Sequence, residues 1–530
     1  MPLQLAPLPD FSPAGPVVLC ILDGYGLGRP DDGNAIHVAR TPVFDRLWSE
    51  HPHTSVLAHG TAVGLPSDGD MGNSEVGHNA LGAGRVFAQG AKLVNAAIAT
   101  GHAFRGEVWP WLTSGGTLHL LGLVSDGNVH SHIDHVHALV DRALADGVER
   151  LRLHVLTDGR DVDERSALRW VEPLEAKLAA CPGDYAIASG GGRMHVTMDR
   201  YEADWAMVER GVRCHGLAQG RRFASASEAI RTLYAEAPEV NDQYLPAFVV
   251  GDYMGFDDGD AVLFFNFRGD RALEISRVLE GRSPLELALP AVRYAGIMQY
   301  DGDEQIPRRY LVEPPAIDRT VGDHLAANGR RTYAISETQK YGHVTYFFNG
   351  NKSGYLDAQR EQYVEVPSDV VPFETAPEMK AERITSLAVE AIASGRYDHV
   401  RLNLANGDMV GHTGDFEATV AACETLDACL ARLEAATLAA GGTLVVTADH
   451  GNADQMFELE GGAYKLVHGQ RVKRTAHSLN PVPFVVVDAA RRWQVLHVEG
   501  AGLANIGSSL LTLAGLVPPD DFEPSLVALR

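Results

Sequence analysis

Residues 17–24 are Val-Val-Leu-Cys-Ile-Leu-Asp-Gly, a run of six apolar side chains that ends in an acidic residue and a glycine. Apolar and polar positions do not alternate in this run, which is typical of a strand buried on both faces of a parallel sheet. A similar unit, a short β-branched or Leu-rich run that ends in a polar turn, recurs along the chain. It is found at Leu118–Val124 before Ser125-Asp126-Gly127, at Leu151–Leu156 before Thr157-Asp158-Gly159, at Val262–Phe265 before Asn266, at Val400–Leu404 before Asn406-Gly407-Asp408, and at Thr443–Val446 before Thr447-Ala448-Asp449.

Helical periods lie between these runs. One extends from Val136 to Leu144, with apolar side chains at i, i+3, i+4, i+7 and i+8, and a similar one extends from Leu426 to Leu433. Strands that alternate with amphipathic helices predict an α/β fold with largely parallel sheets. Ligands of such sheets gather beyond the carboxyl ends of the strands. The polar residues after each strand are therefore the candidate site residues.

Composition limits the function. The chain has 530 residues, 45% of them hydrophobic, and its 45 basic and 69 acidic residues give a net charge of −24. This length allows two to four domains with real cores. The charge argues against a nucleic-acid surface. The negative charge would also disfavour an anionic substrate if net charge decided binding. Net charge governs only the long-range electrostatic field, however, and the residues of the binding site decide which substrate is recognised.

The compartment is predicted from what the sequence contains. Its five cysteines form no C-x-x-C pair, which is typical of buried thiols in a reducing compartment. Prolines and the lack of a basic region make the first residues unlike a signal peptide. The apolar runs are too short to span a bilayer. We expect a soluble, cytoplasmic protein with no membrane partner.

Aspartates and histidines with metal-ligand character follow several of the predicted strands. A carboxylate and an imidazole four residues apart face the same way on a helical turn, and mixed Asp/His sets suit Mn²⁺ or Zn²⁺, whereas all-oxygen sets favour Mg²⁺ or Ca²⁺. The alternative is that such aspartates form turns or helix caps, and that 22 histidines place some near an aspartate by chance. The candidate ligands are Asp23, Asp408, His412, Asp449, His450 and His477.

Residues 69–79 are Gly-Asp-Met-Gly-Asn-Ser-Glu-Val-Gly-His-Asn. Ser74 lies among small and flexible residues, so its hydroxyl can be exposed at the start of a helix, where an anion is favoured. Beside a metal ion such a serine can become a nucleophile without a histidine base. The alternative is that Ser74 is a plain helix N-cap after a turn at Asn73. The pattern is not G-x-S-x-G, so it does not indicate an α/β-hydrolase.

Arginines next to glycines and strand ends mark the middle of the chain. Guanidinium groups match carboxylate and phosphate in bidentate fashion, so these arginines predict a pocket for a small, multiply anionic ligand. Asp161 is a candidate general acid and base, His130 a further donor, and Lys340 a cation for phosphoryl charge. The alternatives are Arg–Asp pairs that brace loops, a loop histidine and a solvated lysine. The arginines are Arg160, Arg193, Arg200, Arg268 and Arg271.

Long motifs in a fixed order extend over nearly the whole chain. They are Leu22–Gly26, Gly72–His78, Ser125–Gly127 with His130–His132, Asp158–Asp161, Phe265–Arg268 with Asp270–Ala272, Glu337–Tyr341, Asn406–His412 and Thr447–Asp454. With these motifs the chain resembles the cofactor-independent (2,3-bisphosphoglycerate-independent) phosphoglycerate mutases of the alkaline phosphatase superfamily. The segment from Arg193 to Arg200 is closer to the longer form of plants and trypanosomatids.

The resemblance implies two α/β domains: a discontinuous phosphatase-like metal-binding domain at residues 1–88 and 316–530, and an inserted transferase domain that binds substrate at residues 89–315. It implies a monomer that interconverts 3-phosphoglycerate and 2-phosphoglycerate in glycolysis and gluconeogenesis. It also implies two divalent ions, Mn²⁺ in the first place, with Mg²⁺ or Co²⁺ as alternatives. Another phosphatase, phosphodiesterase or phosphopentomutase of the superfamily, and a non-catalytic scaffold, are the competing interpretations.

The resemblance also implies a role for each candidate residue. Ser74 is the nucleophile that becomes phosphoserine, Lys340 stabilises the phosphoryl group, and Asp161 is the acid and base for the glycerate hydroxyls. One ion is held by Asp408, His412 and His477, and the other by Asp23, Ser74, Asp449 and His450. The phosphoglycerate pocket is formed by His130, Arg160, Asp161, Arg193, Arg200, Arg268 and Arg271.

Overall fold

A computed structural model describes residues 3–199, 204–301, 305–315 and 317–530. The chain divides into two compact units. Unit 1 consists of Met1–Gln89 together with Ala316–Arg530, and unit 2 consists of Gly90–Pro315. Arg200, one of the arginines of the predicted substrate pocket, lies outside the described residues.

In its described residues, 3–89, the first segment of unit 1 contains two strands, three α-helices and a 3₁₀-helix (Gly60–Val63). Every residue of the first strand is buried, in keeping with its uninterrupted apolar sequence. The elements are β1 (Val17–Leu22), α1 (Ala35–Val38), α2 (Pro42–Glu50), β2 (His53–Val56) and α3 (Ser74–Ala83).

Unit 2 is a largely parallel sheet with helices between its strands. Its elements are α4 (Gly90–Ala99), α5 (Val108–Leu112), β3 (Leu118–Leu123), α6 (Ile133–Ala145), β4 (Arg150–Thr157), α7 (Ala167–Ala180), β5 (Asp184–Gly192), α8 (Trp205–Leu217), β6 (Arg221–Phe223), α9 (Ala226–Glu236), β7 (Phe248–Val250), β8 (Ala261–Phe264), α10 (Leu273–Leu279), β9 (Arg293–Met298) and β10 (Tyr310–Val312). The eight strands lie in the order β10-β9-β8-β3-β4-β5-β7-β6. All pairings are parallel except that between β5 and β7.

The second segment of unit 1 completes its sheet. Its elements are α11 (Val321–Ala327), β11 (Thr332–Glu337), α12 (Thr338–Gly342) with a π-helix (His343–Phe347), β12 (Glu361–Val366), α13 (Ala381–Ala393), β13 (His399–Leu404), α14 (Asn406–Gly411), α15 (Phe416–Ala439), β14 (Thr443–Thr447), β15 (Leu459–Glu460), β16 (Ala463–Tyr464), β17 (Leu466–Val467), β18 (Gln470–Arg471), β19 (Val482–Asp488), β20 (Trp493–Val495), α16 (Leu503–Leu513) and β21 (Val527–Leu529).

The main sheet of unit 1 has seven strands in the order β12-β11-β13-β1-β14-β19-β2. The first five are parallel, and β19 runs antiparallel to both of its neighbours. Apolar side chains from these strands and from the flanking helices form one core, and unit 2 has a core of its own. The predicted α/β fold with largely parallel sheets is therefore confirmed.

Local details follow from the sequence as expected, with one correction. Each predicted strand matches an observed strand to within one residue at either end. The alternative that Ser74 is a helix N-cap is wrong, because Asn73 occupies that position and its side chain accepts a hydrogen bond from the backbone N–H of Val76. All five cysteines are free thiols. None of the helices in the described part of the chain is both long and apolar enough to cross a membrane.

Candidate active site

Four neighbouring strands of unit 1 end beside one another, and polar residues follow each of them. Asp23 follows β1, Lys340 lies on the helix after β11, Asp408 lies on the helix after β13, and Asp449 and His450 follow β14. We call the resulting group the carboxylate cluster, and none of its members is more than 4% exposed. Its members are Asp23, Ser74, Lys340, Asp408, His412, Asp449, His450 and His477.

Ser74 is the first residue of α3, so its hydroxyl lies at the N-terminus of a ten-residue helix. Its Oγ atom is 3.0 Å from Nε2 of His450 and 3.5 Å from Oδ1 of Asp23. Backbone N–H groups at a helix N-terminus favour a bound anion. The sequence therefore places a hydroxyl where a phosphoryl group would be stabilised.

Lys340 lies at the centre of the cluster. Its Nζ atom is 2.8 Å from Oδ1 of Asp23 and 2.7 Å from Oδ2 of Asp408, and it also donates a hydrogen bond to Oγ of Ser74. The side chain is completely buried, so the alternative of a solvated lysine is wrong. A buried ammonium between two carboxylates is a fixed positive charge beside the Ser74 hydroxyl.

The imidazoles of His412 and His477 are oriented by backbone carbonyls. Nδ1 of His412 donates to the carbonyl of Thr475 at 2.6 Å, and Nδ1 of His477 donates to that of Gly72 at 2.7 Å. In the neutral rings Nε2 then carries a lone pair. The two Nε2 atoms lie 2.9 Å apart, and each is within 3.1 Å of Oδ1 of Asp408. Electron-rich atoms facing one another in this way suit a cation.

Two sets of side chains could each hold a metal ion. Asp408, His450 and His477 offer ligand atoms that all lie within 4.8 Å of one another, and so do Asp23, Asp449 and His450. His450 belongs to both sets, which places them side by side. Mixed carboxylate and imidazole donors, all buried, fit divalent ions such as Mn²⁺ or Zn²⁺.

The pKa values of two aspartates in the carboxylate cluster are shifted in opposite directions. Burial raises the pKa of Asp23 well above its ordinary value, and the nearby carboxylate of Asp449 adds to this effect. Burial would also raise the pKa of Asp408, but the charge of Lys340 and the contact with His412 outweigh it and hold that pKa well below the usual range. One lysine thus does not balance three buried carboxylates, and further positive charge is favoured.

A second group of predicted residues comes together in unit 2, at the carboxyl ends of β3, β4, β5 and β8. We call it the arginine cluster, and none of its described members is more than 5% exposed. A set of buried arginines at the edge of a parallel sheet is suited to an anionic ligand. The members are His130, Arg160, Asp161, Arg193, Arg268 and Arg271.

Arg193 is the most deeply buried of these arginines. Its Nη1 atom donates to Oδ1 of Asp158 at 2.6 Å and also to Oδ2 of Asp161. Burial disfavours the charge of Arg193, but the two carboxylates outweigh that effect and raise its pKa. Nε and Nη2 of Arg193 have no hydrogen-bond acceptor among the described residues. Arg193 therefore fixes Asp161 and retains donor groups for a ligand.

Arg268 and Arg271 are held by different partners. Nη2 of Arg268 lies 2.9 Å from Oδ2 of Asp270, and Nδ1 of His130 lies 3.7 Å from the other oxygen of that carboxylate. Arg271 donates from Nη1 to the backbone carbonyl of Met198 at 2.7 Å. Their positions are thus set by a buried aspartate and by a loop carbonyl.

Two residues that form hydrogen bonds with members of the carboxylate cluster, Asn403 and His78, were not predicted from the sequence. Asn403, in strand β13, donates from Nδ2 to Oδ2 of Asp23 at 2.6 Å. His78 donates from Nδ1 to the backbone carbonyl of Ser74 at 2.8 Å. The spacing of four residues between Ser74 and His78 on a predicted helix was an available signal for His78. Asn403 gave none, since it lies inside the predicted strand itself and not after its end.

The chain is similar to known proteins over nearly all of its length. It matches the Metalloenzyme superfamily over residues 15–518. A 2,3-bisphosphoglycerate-independent phosphoglycerate mutase of Zea mays is 49% identical over 534 residues, which are 96% of this chain and 95% of the relative. One of Trypanosoma brucei is 48% identical over 537 residues, 97% of this chain and 98% of the relative. The crystal structure of Leishmania mexicana phosphoglycerate mutase at low cobalt concentration has a TM-score of 0.97 and 47% identity, with 99% of this chain and 100% of that chain covered.

Proposed function

We propose a function for this chain on the premise that it belongs to the 2,3-bisphosphoglycerate-independent phosphoglycerate mutases, a family of metalloenzymes. It is an enzyme of that family. The reaction that we assign to it is the interconversion of 3-phosphoglycerate and 2-phosphoglycerate, as a step of glycolysis and gluconeogenesis that needs no 2,3-bisphosphoglycerate. The observation that carries the assignment is the Ser74 hydroxyl at a helix N-terminus, in contact with buried Lys340 and His450.

Unit 1 performs the phosphoryl transfer in this proposal. Oγ of Ser74 attacks the phosphorus of 3-phosphoglycerate as the bond to the substrate oxygen breaks, which gives a phosphoserine. The ammonium of Lys340, fixed by Asp23 and Asp408, stabilises the charge on the phosphoryl oxygens. The N-terminal N–H groups of α3 act in the same direction.

The carboxylate cluster holds two divalent ions in this proposal. Asp408, His412 and His477 hold one, and Asp23, Ser74, Asp449 and His450 hold the other. When bound, such ions supply Lewis-acid stabilisation of the phosphoryl group and favour the deprotonated serine. The inward-facing Nε2 atoms of His412 and His477 support the first assignment. Mn²⁺ suits these mixed donors, with Mg²⁺ or Co²⁺ as alternatives.

Unit 2 binds the glycerate part of the substrate in this proposal. Arg160, Arg193, Arg268 and Arg271, together with Arg200 and His130, hold its carboxylate and phosphate. Asp161 protonates the oxygen from which the phosphoryl group leaves, and later removes the proton from the neighbouring hydroxyl that receives it. The contact between Asp161 and Arg193 supports this role because it fixes the carboxylate in one orientation. The enzyme acts as a cytoplasmic monomer and engages neither nucleic acid nor membrane.

The test is a product assay with 3-phosphoglycerate and Mn²⁺. We expect 2-phosphoglycerate to accumulate without added 2,3-bisphosphoglycerate, and Ser74→Ala to lower kcat by at least about 10⁴-fold with the fold intact. Ser386→Ala is the matched control, since Ser386 lies on α13 and its hydroxyl donates to the carbonyl of Glu382 and accepts from Arg432, neither of which belongs to the carboxylate cluster. Release of inorganic phosphate instead of 2-phosphoglycerate would identify a phosphatase and reject the proposal.

A further inference from the structure

A continuous chain of hydrogen-bonded side chains crosses the interior of unit 2 and has no part in the function proposed above. We call it the histidine chain. None of its members is more than 4% exposed. In order along the chain they are Asp260, His119, His154, Ser189, His215 and Thr197.

The carboxylate of Asp260 lies at one end of the histidine chain and sets the direction of its hydrogen bonds. Burial alone would raise its pKa, but hydrogen bonds from His119 and from the backbone N–H groups of Asp257 and Thr117 outweigh this and lower the pKa to about 2. The carboxylate therefore accepts, and Nε2 of His119, 3.1 Å away, carries the proton. Burial lowers the pKa of His119, so its ring is neutral and Nδ1 must accept. Nε2 of His154 donates to it at 2.9 Å.

The donor and the acceptor of each remaining hydrogen bond are then determined. Nδ1 of His154 accepts from the hydroxyl of Ser189 at 2.7 Å, and that hydroxyl accepts from Nδ1 of His215 at 2.7 Å. Burial holds the pKa of His154 well below its ordinary value and lowers that of His215 to about 3, so both rings are neutral. Nε2 of His215 can then only accept, and the hydroxyl of Thr197 donates to it at 3.0 Å.

Thr197 has an unusual backbone. Its φ of 74° lies in the left-handed region, which a β-branched residue adopts only when its surroundings enforce it. Its N–H donates to the carbonyl of Met207 on α8 at 3.0 Å. Its Oγ1 lies against Gly211 of the same helix, where a Cβ atom would be only 2.0 Å away. The hydroxyl, the amide and the glycine contact together hold Thr197 against α8.

The segment held in this way carries one member of the arginine cluster and supports another. Arg193 lies four residues before Thr197, directly after β5. Met198, the next residue, offers the backbone carbonyl that accepts the hydrogen bond from Arg271. A shift at Thr197 would therefore move the support of Arg271 and loosen the segment that carries Arg193.

We propose that the histidine chain fixes the segment from Arg193 to Met198, and that Thr197 and His215 are positioning residues for phosphoglycerate binding. This inference rests on the substrate-binding role proposed for the arginine cluster. Because the direction of the hydrogen bonds is fixed by Asp260, only a hydroxyl donor at residue 197 satisfies Nε2 of His215. Loss of that donor leaves a buried acceptor unpaired beside a strained residue, and the segment relaxes.

The test compares Thr197→Val with Thr197→Ser in steady-state kinetics on 3-phosphoglycerate. Valine keeps the shape of threonine and loses the donor, so we expect KM to rise about tenfold or more, while kcat stays within about threefold. Serine keeps the donor and should restore KM to within about twofold of the unsubstituted enzyme. Thr437→Val is the matched control, because Thr437 is buried in unit 1 and its hydroxyl donates to the carbonyl of Leu433 in the same helix, α15.

A second variant protects the test against loss of folding. Ser189→Ala interrupts the chain at its middle, removes one small hydroxyl, and should raise KM in the same way. An unchanged KM in Thr197→Val or Ser189→Ala, or an equal KM rise in Thr197→Ser, overturns the inference. If the unsubstituted enzyme makes no 2-phosphoglycerate, the proposed function itself has failed, and this outcome is seen before any variant is compared.

Discussion

The buried ammonium of Lys340 donates a hydrogen bond to the Oγ atom of Ser74. The two residues are 266 positions apart in sequence, and the sheet of unit 1 brings them together because α12 follows β11 at the strand ends. Lys340 is held in place by Asp23 and Asp408, so it does not need to reorganise when charge develops on a phosphoryl group. Preorganised charge of this kind is the largest single contribution in many enzymes.

Replacing Lys340 should therefore impair the chemical step. We expect Lys340→Met to lower kcat about 10²–10³-fold, with a much smaller change in KM, because the ammonium stabilises charge that develops in the transition state. Initial rates of 2-phosphoglycerate formation measure both constants. Lys352→Met is the control, since Lys352 pairs with Asp323 in unit 1, which is not a member of the carboxylate cluster. A kcat within a factor of ten of the unsubstituted enzyme would contradict the role of Lys340.

Removal of metal should affect both activity and stability. Exhaustive treatment with EDTA should abolish turnover, and Mn²⁺ should restore it. Ions that bind only the folded chain stabilise it by about 2.7 kcal/mol for each site when the free ion is at about 100 times Kd. The melting temperature, followed by differential scanning fluorimetry, should fall after chelation and recover with Mn²⁺. EDTA saturated with Mn²⁺ beforehand is the control. Full turnover by protein shown by elemental analysis to be metal-free would reject the metal sites.

Asn403 should set the affinity for metal through Asp23. Its amide orients the Asp23 carboxylate and also lies 3.3 Å from Nε2 of His78. Loss of such a supporting hydrogen bond weakens metal binding about 10–100-fold in other sites. We expect Asn403→Leu to raise the Mn²⁺ concentration that half-restores EDTA-treated enzyme by that factor, with most of kcat recovered at saturation.

The control for this prediction is Asn349→Leu. Asn349 is fully buried in unit 1 like Asn403, but its amide donates to the hydroxyl of Tyr363 rather than to a candidate ligand. The Mn²⁺ requirement of Asn349→Leu should match that of the unsubstituted enzyme. An equal rise in both variants would mean that Asn403 acts through general stability.

The sequence predicted three strands of each main sheet, because each of them lies in a Val- or Leu-rich run that ends in a polar turn. The same rule located Asp23, Asp408 and Asp449, since strand ends of a parallel sheet share one edge. It did not predict that Lys340 is buried, because a single lysine in a polar stretch is most often solvated. Only the neighbouring carboxylates, which come from distant parts of the chain, explain its burial.

The histidine chain could not be predicted from the sequence, for a similar reason. Its members come from β3, β4, β5, α8 and two loops, and hydrogen-bonded neighbours in it are between 18 and 141 positions apart. No periodicity relates such residues, and each histidine taken alone is an ordinary core residue. The pattern becomes visible only when the sheet places its strands side by side and the direction of each hydrogen bond is worked out from Asp260.

His399 gives a prediction about acid stability. It is fully buried in β13, and neither ring nitrogen has a hydrogen-bond partner among the described residues. Burial and the charge of Arg401 lower its pKa to about 3. Below an unfolded-state pKa of about 6.5, only the unfolded chain binds this proton, so the folded state loses about 1.4 kcal/mol per pH unit as the pH falls toward 3.

His399→Leu should remove this loss. We expect the stability gained by His399→Leu over the unsubstituted protein, measured by urea denaturation, to be about 2 kcal/mol larger at pH 5 than at pH 7.5. His497→Leu is the control, because it makes the same substitution at an exposed histidine of unit 1. If His399→Leu and the unsubstituted protein lose stability in parallel between pH 7.5 and pH 5, then His399 takes up a proton in the folded chain. Its burial without a partner would then have no energetic consequence in acid.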